Sequence, residues 1–210
     1  MKIINIKLKN SIPENVDAIS HISILNKDAY IQDKDHLKFY QLCNHFAKAL
    51  KVDVPDITFC NGSPVHDYLL LRPNGSLNSA ISITPQDDEN LKHNLLVISD
   101  LHFKTFEILF GIMAHEFRHF WQKKYNYNYY FNSYNNNIED RAEIDADAFA
   151  IAAMSANFQI TLEEAASIIC SYEKNYNPDL FGKKINEAQF FLKKNKSPFQ
   201  KIKKFFRRKG

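Results

Sequence analysis

Apolar residues recur along this chain with two spacings, which predict strands in some stretches and helices in others. Over residues 3–9 they alternate with polar residues, as expected of a half-buried strand. Helical spacing follows over about 35–51, and Val54-Pro55 is expected to end that helix because proline cannot continue the helical hydrogen bonding. Short apolar runs separated by turn residues then predict strands at 57–60, 68–72, 77–84 and 95–99.

The second and third of these strands form a predicted hairpin across Pro73-Asn74-Gly75, which is a strong turn signal. In the third strand, Ile81 and Ile83 alternate with hydroxyl residues. This alternation is typical of a strand that has one open face. The sheet is therefore expected to precede the helical half of the chain.

From about residue 101 to 124 the spacing of apolar residues becomes helical. One wide apolar stripe recurs at steps of three and four: Phe103, Phe106, Leu109, Phe110, Met113, Phe117, Phe120 and Trp121. A neighbouring stripe consists of Ile108, Ile112, His115 and His119. The predicted helix thus has a face for the core and, beside it, a face that carries two histidines.

The stretch 125–137 consists almost entirely of Tyr and Asn and lacks helical periodicity, so we expect a small hairpin or a loop that closes over a site. A further helix is predicted over about 138–154. Another begins at Thr161, where Thr161 and Glu164 have the spacing of a capping box, and runs to about 174. Pro178 and Gly182 predict a break.

The charge distribution divides the chain into an acidic body and a basic tail. With 210 residues, 45% of them hydrophobic, the chain can form one domain with a packed core. We assign that domain to 1–180, with its motif-bearing core at 35–155. From Lys183 onward there are 11 Lys or Arg and one acid, a net charge of +10, against 16 basic and 23 acidic residues in the remainder. Residues 183–210 are therefore expected to form a basic tail, either amphipathic or disordered.

Cysteine usage and hydropathy indicate a cytoplasmic protein without a membrane anchor. Cys43, Cys60 and Cys170 are odd in number and form no C-x-x-C pair, so neither a disulfide framework nor a zinc ribbon is expected. No stretch approaches the roughly 18 apolar residues that a membrane helix requires. The first residues also lack the apolar run of a signal peptide.

His115, Glu116 and His119 form the pattern H-E-x-x-H inside the predicted helix 101–124. Residues four apart lie one above the other on a helix, so both histidines can point a ring nitrogen at one metal ion. Glu116 can lean over the same ion without occupying a ligand position, as a general base acting on metal-bound water must. The pattern predicts a zinc site, although five residues alone recur by chance in many chains.

A catalytic zinc usually has three protein ligands and one open position, so a third ligand must be found. The chain has eight histidines and none follows His119, which leaves a downstream carboxylate. The next predicted helix offers Glu139, Asp140, Glu143, Asp145 and Asp147. Glu143 suits the ligand position, because Asp147 one turn later can accept a hydrogen bond from the non-ligating nitrogen of a zinc histidine.

The sequence H-E-F-R-H, followed 24 residues after His119 by E-I-D-A-D-A-F-A, resembles the gluzincin metallopeptidases. It is most similar to the small single-domain minigluzincins of the ImmA/IrrE type, whose H-E-x-x-H helix precedes an E-x-x-A-N/D-x-F-A helix. The resemblance implies His115, His119 and Glu143 as the ligands of one Zn²⁺. It also implies Glu116 as the catalytic base, and Asp147 as the hydrogen-bonding partner of a zinc histidine.

The fold that this resemblance implies is α+β. A small mixed or antiparallel sheet has an edge strand packed on the H-E-x-x-H helix, and a helical C-terminal half carries the third ligand. In zinc peptidases such an edge strand holds the peptide substrate by main-chain pairing, although an ordinary sheet strand fits the sequence equally well. Arg118 departs from the small residue of many relatives, and pairing with an acid of the following helix is its simplest role.

The function implied is that of a zinc-dependent endopeptidase. It would hydrolyse peptide bonds of a specific intracellular protein by Glu-assisted attack of zinc-bound water. Members of the resembled group often cleave repressors, so a regulatory protein such as a repressor is the implied substrate. The candidates for stabilising the oxyanion, or for a lid, are Tyr125, Tyr127, Tyr129, Tyr130 and Tyr134.

Two other hypotheses compete with the peptidase. One is a non-catalytic zinc-containing module that acts through the basic tail, where four apolar residues share a helical face: Phe199, Ile202, Phe205 and Phe206. Such a face among Lys and Arg suits nucleic acid, an anionic membrane surface or an acidic protein partner, and equally a solvated terminus. The other is a metal-free helical protein.

Overall fold

A computed structural model describes residues 33–60, 79–99, 105–135, 141–171 and 178–194. Its elements, in chain order, are α1 (Asp33–Leu50), β1 (Asp56–Cys60), β2 (Ala80–Ile83), β3 (Leu95–Ser99), α2 (Phe106–Asn135), α3 (Arg141–Phe158), α4 (Leu162–Cys170) and α5 (Pro178–Lys194). The combination of a small mixed sheet with five helices confirms the α+β class. The contacts separate the chain into two compact units, one with the sheet and the other with 45–52 and everything from 105 onward.

The sheet unit is built around β3. This strand pairs in parallel with β1, from Asp56 opposite Leu95, and antiparallel with β2, from Ala80 opposite Ile98. Its residues 96–98 are fully buried. A strand buried on both faces has a continuous apolar sequence rather than an alternating one, which is why 95–99 was predictable as an uninterrupted run.

Strand β2 buries its small and hydroxyl residues rather than its isoleucines. The small and hydroxyl residues Ala80, Ser82 and Thr84 are buried, whereas Ile81 and Ile83 are only partly so. The alternation was therefore informative about a strand but not about its inner face. The predicted strands at 3–9 and 68–72, and the hairpin between 68–72 and 77–84, lie outside the described residues. The packing of an edge strand on the H-E-x-x-H helix stays a prediction.

The helical unit is organised around α3, which packs against α2, α4 and α5. Ten of its eleven buried residues are apolar, and they cover the whole circumference of the helix rather than one face. A helix that is apolar all round is typical of a core position. Gly111 of α2 makes close packing possible, because a Cβ atom there would lie 2.8 Å from Met154 Sδ and 2.7 Å from Ile169 Cδ1.

Helix α2 continues through the Tyr- and Asn-rich stretch, so the expected hairpin or loop over 125–135 is wrong. The helix is kinked at Asn126, whose φ of −152° and ψ of 45° are not helical. Tyr125 donates a hydrogen bond to the carbonyl oxygen of Lys51 at 2.7 Å, and Tyr127 stacks on Phe131. These contacts outweigh the modest helix propensity of Tyr and Asn.

The ends of α1 and α4 differ from the predicted positions. Helix α1 ends at Leu50, before Val54-Pro55, because Lys51 adopts a left-handed φ of 56°. The Val52 amide then donates to the Ala47 carbonyl at 3.0 Å, which closes the helix end. The predicted capping box of Thr161 and Glu164 is confirmed, although α4 ends at Cys170 rather than near 174.

Helix α5 spans the boundary that we placed between body and tail. It begins at Pro178, which is tolerated because the first helical residue needs no intrahelical N–H bond. It also continues through Gly182, so the expected break there is wrong. Residues 195–210, with the predicted amphipathic face, lie outside the described residues. None of the helices in the described ranges is long and apolar enough to span a membrane.

Candidate metal centre

Helix α2 brings His115 and His119 together. Four residues apart, they occupy one face of the helix, and their Nε2 atoms are 2.8 Å from each other. Their rings meet nearly at right angles, at 82°. The His115 side chain is 17% exposed and the His119 side chain 5%. The pair therefore lies in the wall of the core, as the two neighbouring stripes predicted.

Glu143 on α3 completes a group of three. Its Oε2 atom lies 3.2 Å from His115 Nε2, and its Oε1 atom lies 3.3 Å from His119 Nε2. One ligand atom from each of the three residues lies within 4.8 Å of the others, so the group could hold a metal ion. The Glu143 side chain, 35% exposed, is the most accessible of the three. The structure thus brings together the three residues that the sequence singled out.

The other ring nitrogen of His115 faces a carboxylate. Nδ1 of His115 lies 2.6 Å from Asp147 Oδ1, and Asp147 Oδ2 lies 2.9 Å from the ammonium group of Lys184 on α5. Both Asp147 and Lys184 are buried. Since Asp147 is ion-paired with a cation at one oxygen, its other oxygen accepts, and the proton of the neutral His115 ring lies on Nδ1. The contact that the sequence predicted between Asp147 and one of the two histidines is therefore present.

The other ring nitrogen of His119 faces an amide. Nδ1 of His119 lies 2.8 Å from Gln122 Oε1. The amide orientation follows from its other contacts, because Gln122 Nε2 donates to the Ala142 carbonyl at 2.9 Å and to Asp145 Oδ2 at 2.7 Å. Oε1 is therefore the atom that faces the ring, and His119 Nδ1 must donate to it.

With these two tautomers, the electron-rich atoms of the site repel each other unless a cation lies among them. With both Nδ1 atoms protonated, each neutral ring presents an Nε2 lone pair, and the two lone pairs face each other at 2.8 Å. The Glu143 carboxylate adds negative charge at 3.2 and 3.3 Å. Three electron-rich groups converge on one point, which is favourable only if a proton or a metal cation lies among them.

The pKa values of His115, Glu143 and Asp147 shift in the directions that this convergence of charges predicts. Burial alone would lower the pKa of His115, but Asp147 and Glu143 outweigh it and raise the pKa well above its ordinary value of 6.5. Burial would raise the pKa of Glu143, yet His119 and His115 hold it well below 4.5. Burial would likewise raise the pKa of Asp147, but the attraction of His115 and Lys184 lowers it from 3.8. The site favours one extra positive charge at the histidines.

Glu116 is buried, with 6% of its surface exposed. On a helix it lies about 60° around the axis from His119, next to the ligand face. No hydrogen bond or ion pair joins its carboxylate to another residue in the described part of the chain. The structure thus places the predicted base beside the histidines and leaves its carboxylate available.

Arg118 forms a bidentate ion pair with Asp145, in which Nε donates to Oδ2 at 2.7 Å and Nη2 donates to Oδ1 at 3.0 Å. Its guanidinium group also lies over the Trp121 ring, 3.9 Å from the centroid. The expected pairing with an acid of the following helix is confirmed. Because Asp145 also binds Gln122, this ion pair belongs to the support of His119.

Among the five candidate tyrosines, Tyr130 has a ring contact with a histidine of the group. Its ring lies 5.5 Å from that of His119, edge to face, and Lys123 Nζ lies 4.7 Å from its centroid. Tyr125 and Tyr127 have the helix contacts described above, and the side chain of Tyr134 lies outside the described residues. The role of any of them in catalysis stays a prediction.

Two residues of the site, Gln122 and Lys184, were not found from the sequence. Gln122 follows His119 by three residues and so shares its side of the helix, a signal that was present but unused. Lys184 lies on the buried stripe of α5 with Ile185, Ala188 and Phe191. A lysine within an apolar stripe at helical spacing indicates a buried cation. The many other basic residues of the segment made this lysine look like one more solvated charge.

Comparisons of the chain with protein-family models, with curated proteins and with solved structures find no match.

Proposed function

We propose that this protein is a zinc-dependent endopeptidase of gluzincin type, with His115, His119 and Glu143 as the zinc ligands and Glu116 as the catalytic base. The observation that carries the proposal is the convergence of two imidazole lone pairs and a carboxylate within 3.3 Å of each other, in a wall of the core. These groups are stable in contact only with a proton or a metal cation among them, and a set of two imidazoles and one carboxylate favours the metal.

The donor set fits zinc. Two histidine nitrogens and one carboxylate are a known ligand set of catalytic zinc, with a fourth position open. Bonds of about 2.0–2.1 Å at tetrahedral angles would separate the ligand atoms by roughly 3.3 Å. The observed separations of 2.8, 3.2 and 3.3 Å are close to this value. Calcium and magnesium prefer oxygen ligands, so the two imidazoles disfavour both.

The residues around the ligands support a hydrolytic role. Zinc, when bound, would polarise the scissile carbonyl and make a water molecule more acidic. Glu116 would take the proton of the attacking water and deliver it to the leaving amine, which requires a carboxylate that is neither a ligand nor committed elsewhere. Glu116 meets both conditions among the described residues. Tyr130, through its contact with His119, is the first tyrosine to test as a donor to the oxyanion.

The substrate follows from the resemblance rather than from the geometry. A single protein substrate of regulatory type, such as a repressor, is part of the proposal, as is a location in the cytoplasm.

The deciding experiment compares Glu116→Gln with wild type for zinc content and for cleavage of a quenched fluorescent peptide library. We expect one zinc per chain in both proteins and a loss of about 10²–10⁴-fold in cleavage rate for the variant. Glu107→Gln makes the same chemical change on the same helix, at a partly buried position away from the histidines, and should leave both measurements unchanged.

The other outcomes select other functions. Retention of both zinc and full activity by Glu116→Gln would refute the peptidase mechanism. Stoichiometric zinc without cleavage by the wild type would favour the non-catalytic module that acts through the basic tail. No zinc in the wild type would leave the metal-free protein.

A further inference from the structure

Lys184 is a buried cation in a segment that the sequence assigned to a solvated tail. It lies on α5 with 2% of its surface exposed. An ammonium group loses its hydration on burial and is retained there only where a partner compensates. That partner is Asp147, whose Oδ2 atom lies 2.9 Å from Lys184 Nζ.

Asp147 divides its two oxygens between Lys184 and His115. Because an ammonium group only donates hydrogen bonds, Oδ2 is an acceptor, and the carboxylate has no proton of its own to offer at Oδ1. The proton at the 2.6 Å contact is therefore carried by His115 Nδ1. This arrangement leaves the Nε2 lone pair of His115 directed at His119 and Glu143.

The same contact determines the direction of the carboxylate. An aspartate with one partner can turn about its terminal torsion, whereas one held at both oxygens has a single orientation. The lysine also offsets charge, because Asp147 and Glu143 are two carboxylates on the same helix, one turn apart. Without a cation they would repel each other across the ring of His115.

We propose that Lys184 is a positioning residue of the metal centre, which acts through Asp147 to hold His115 with its Nε2 atom directed at the metal. The proposal rests on the zinc site proposed above. It extends that site to α5, which lies beyond the motif-bearing core at 35–155. The alternative is a lysine that merely joins α5 to α3.

The two roles differ in what they change. A lysine that only joins two helices affects unfolding and leaves the zinc affinity of the folded protein unchanged. A lysine that positions the histidine affects zinc affinity, and only while Asp147 is a carboxylate. A double-mutant cycle between the two residues separates these cases.

The first measurement is a competition titration of the full chain with Zn²⁺ against a chromophoric chelator. Methionine keeps an unbranched side chain of similar length and removes the charge, so we expect Lys184→Met to bind zinc about tenfold more weakly than wild type. Lys183→Met is the matched control, because that side chain is exposed and one position away. It should bind zinc like wild type.

The second measurement repeats the titration in the Asp147→Asn background. We expect that adding Lys184→Met to Asp147→Asn weakens zinc binding no further. The double variant replaces a buried ion pair with two neutral side chains, so it keeps the comparison possible if Lys184→Met alone fails to fold. Unfolding of the four proteins of the cycle (wild type, the two single variants and the double variant) is followed in parallel after chelator treatment.

Equal zinc affinity of wild type and Lys184→Met would overturn the inference. So would a further tenfold loss when Lys184→Met is added to Asp147→Asn, since the lysine would then act independently of the carboxylate. The expected pattern in a protein without peptidase activity would leave the inference standing and remove only the enzymatic proposal. A wild type that binds no zinc would overturn both.

Discussion

The two histidines of the candidate metal centre are held by chemically different groups. His115 donates to the carboxylate of Asp147, which is ion-paired in turn, whereas His119 donates to the neutral amide of Gln122. A carboxylate acceptor makes the ring more electron-rich and orients it, while an amide acceptor orients it with little change in basicity. The basicity of His115 is therefore raised by a charged acceptor, whereas His119 is mainly oriented by its acceptor.

The supporting groups also come from different places. The amide of Gln122 lies on α2 itself, three residues after His119, and is fixed by contacts to the first turns of α3. The ionic support of His115 needs α3 and α5 together, since Asp147 and Lys184 lie on different helices. His115 therefore depends on α3 and α5 together, whereas the acceptor of His119 lies on its own helix and is fixed by α3 alone.

Removal of the negative charge from Asp147, the acceptor of His115, should weaken zinc binding more than the other substitutions. We expect Asp147→Asn to weaken zinc binding roughly 10–100-fold, because the ring loses its charged acceptor and Lys184 loses its anionic partner. A chelator competition titration measures this directly. Glu107→Gln removes an acid from the first turn of α2, away from both histidines, and a similar loss there would show that overall charge, rather than the histidine contact, controls the affinity.

The pH dependence should follow His115. Zinc needs the neutral ring, so the raised pKa of His115 predicts that zinc affinity falls as the pH decreases, beginning above 6.5. Below that raised pKa the fall approaches about tenfold per pH unit, since one proton competes with the metal. Titrations at several pH values between about 8 and 6 would measure it. In Asp147→Asn, zinc affinity should begin to fall at a lower pH than in wild type. In Gln122→Met, it should begin to fall at the same pH as in wild type.

The stability of the chelator-treated protein should show the opposite trend. A raised pKa in the folded state stabilises the protein below 6.5, and this contribution is lost as the pH rises through the folded value for His115. The lowered pKa of Glu143 contributes above 4.5 and is lost as the pH falls through its folded value. Thermal unfolding of the metal-free protein should therefore show the greatest stability between pH 4.5 and 6.5, where both contributions are fully present. Greater stability at pH 8 than at pH 6 without metal would contradict it.

The three candidate ligands could be predicted from the sequence, and the geometry of the two histidines is local. His115 and His119 are four residues apart on one helix, and no later histidine competes with Glu143. The spacing alone places the first two on one face, and the resemblance supplied the third. Asp147 followed in the same way, one turn after Glu143.

What could not be predicted depends on packing between distant segments. Lys184 was assigned to a tail because the net charge of 183–210 outweighed one apolar stripe, and only the contact of α5 with α3 shows where its side chain ends. The helical conformation of 125–135 likewise depends on contacts such as that of Tyr125 with Lys51, against local propensity. In β2, alternation identified the strand, but the buried side depends on what covers it.

The smallest effect on zinc binding is expected at Gln122, and it tests the comparison most closely. Gln122→Met keeps an unbranched side chain but removes the acceptor of His119 Nδ1 and the donor to Asp145. We expect zinc affinity to fall tenfold or less, since about tenfold is the lower limit for such outer partners. Stability should fall by about 1–3 kcal/mol, because buried polar groups lose their partners. Zinc titration and denaturant unfolding measure both. A loss of zinc affinity as large as that of Asp147→Asn would mean that orientation alone sets the affinity, and that the charge on the His115 side contributes nothing of its own.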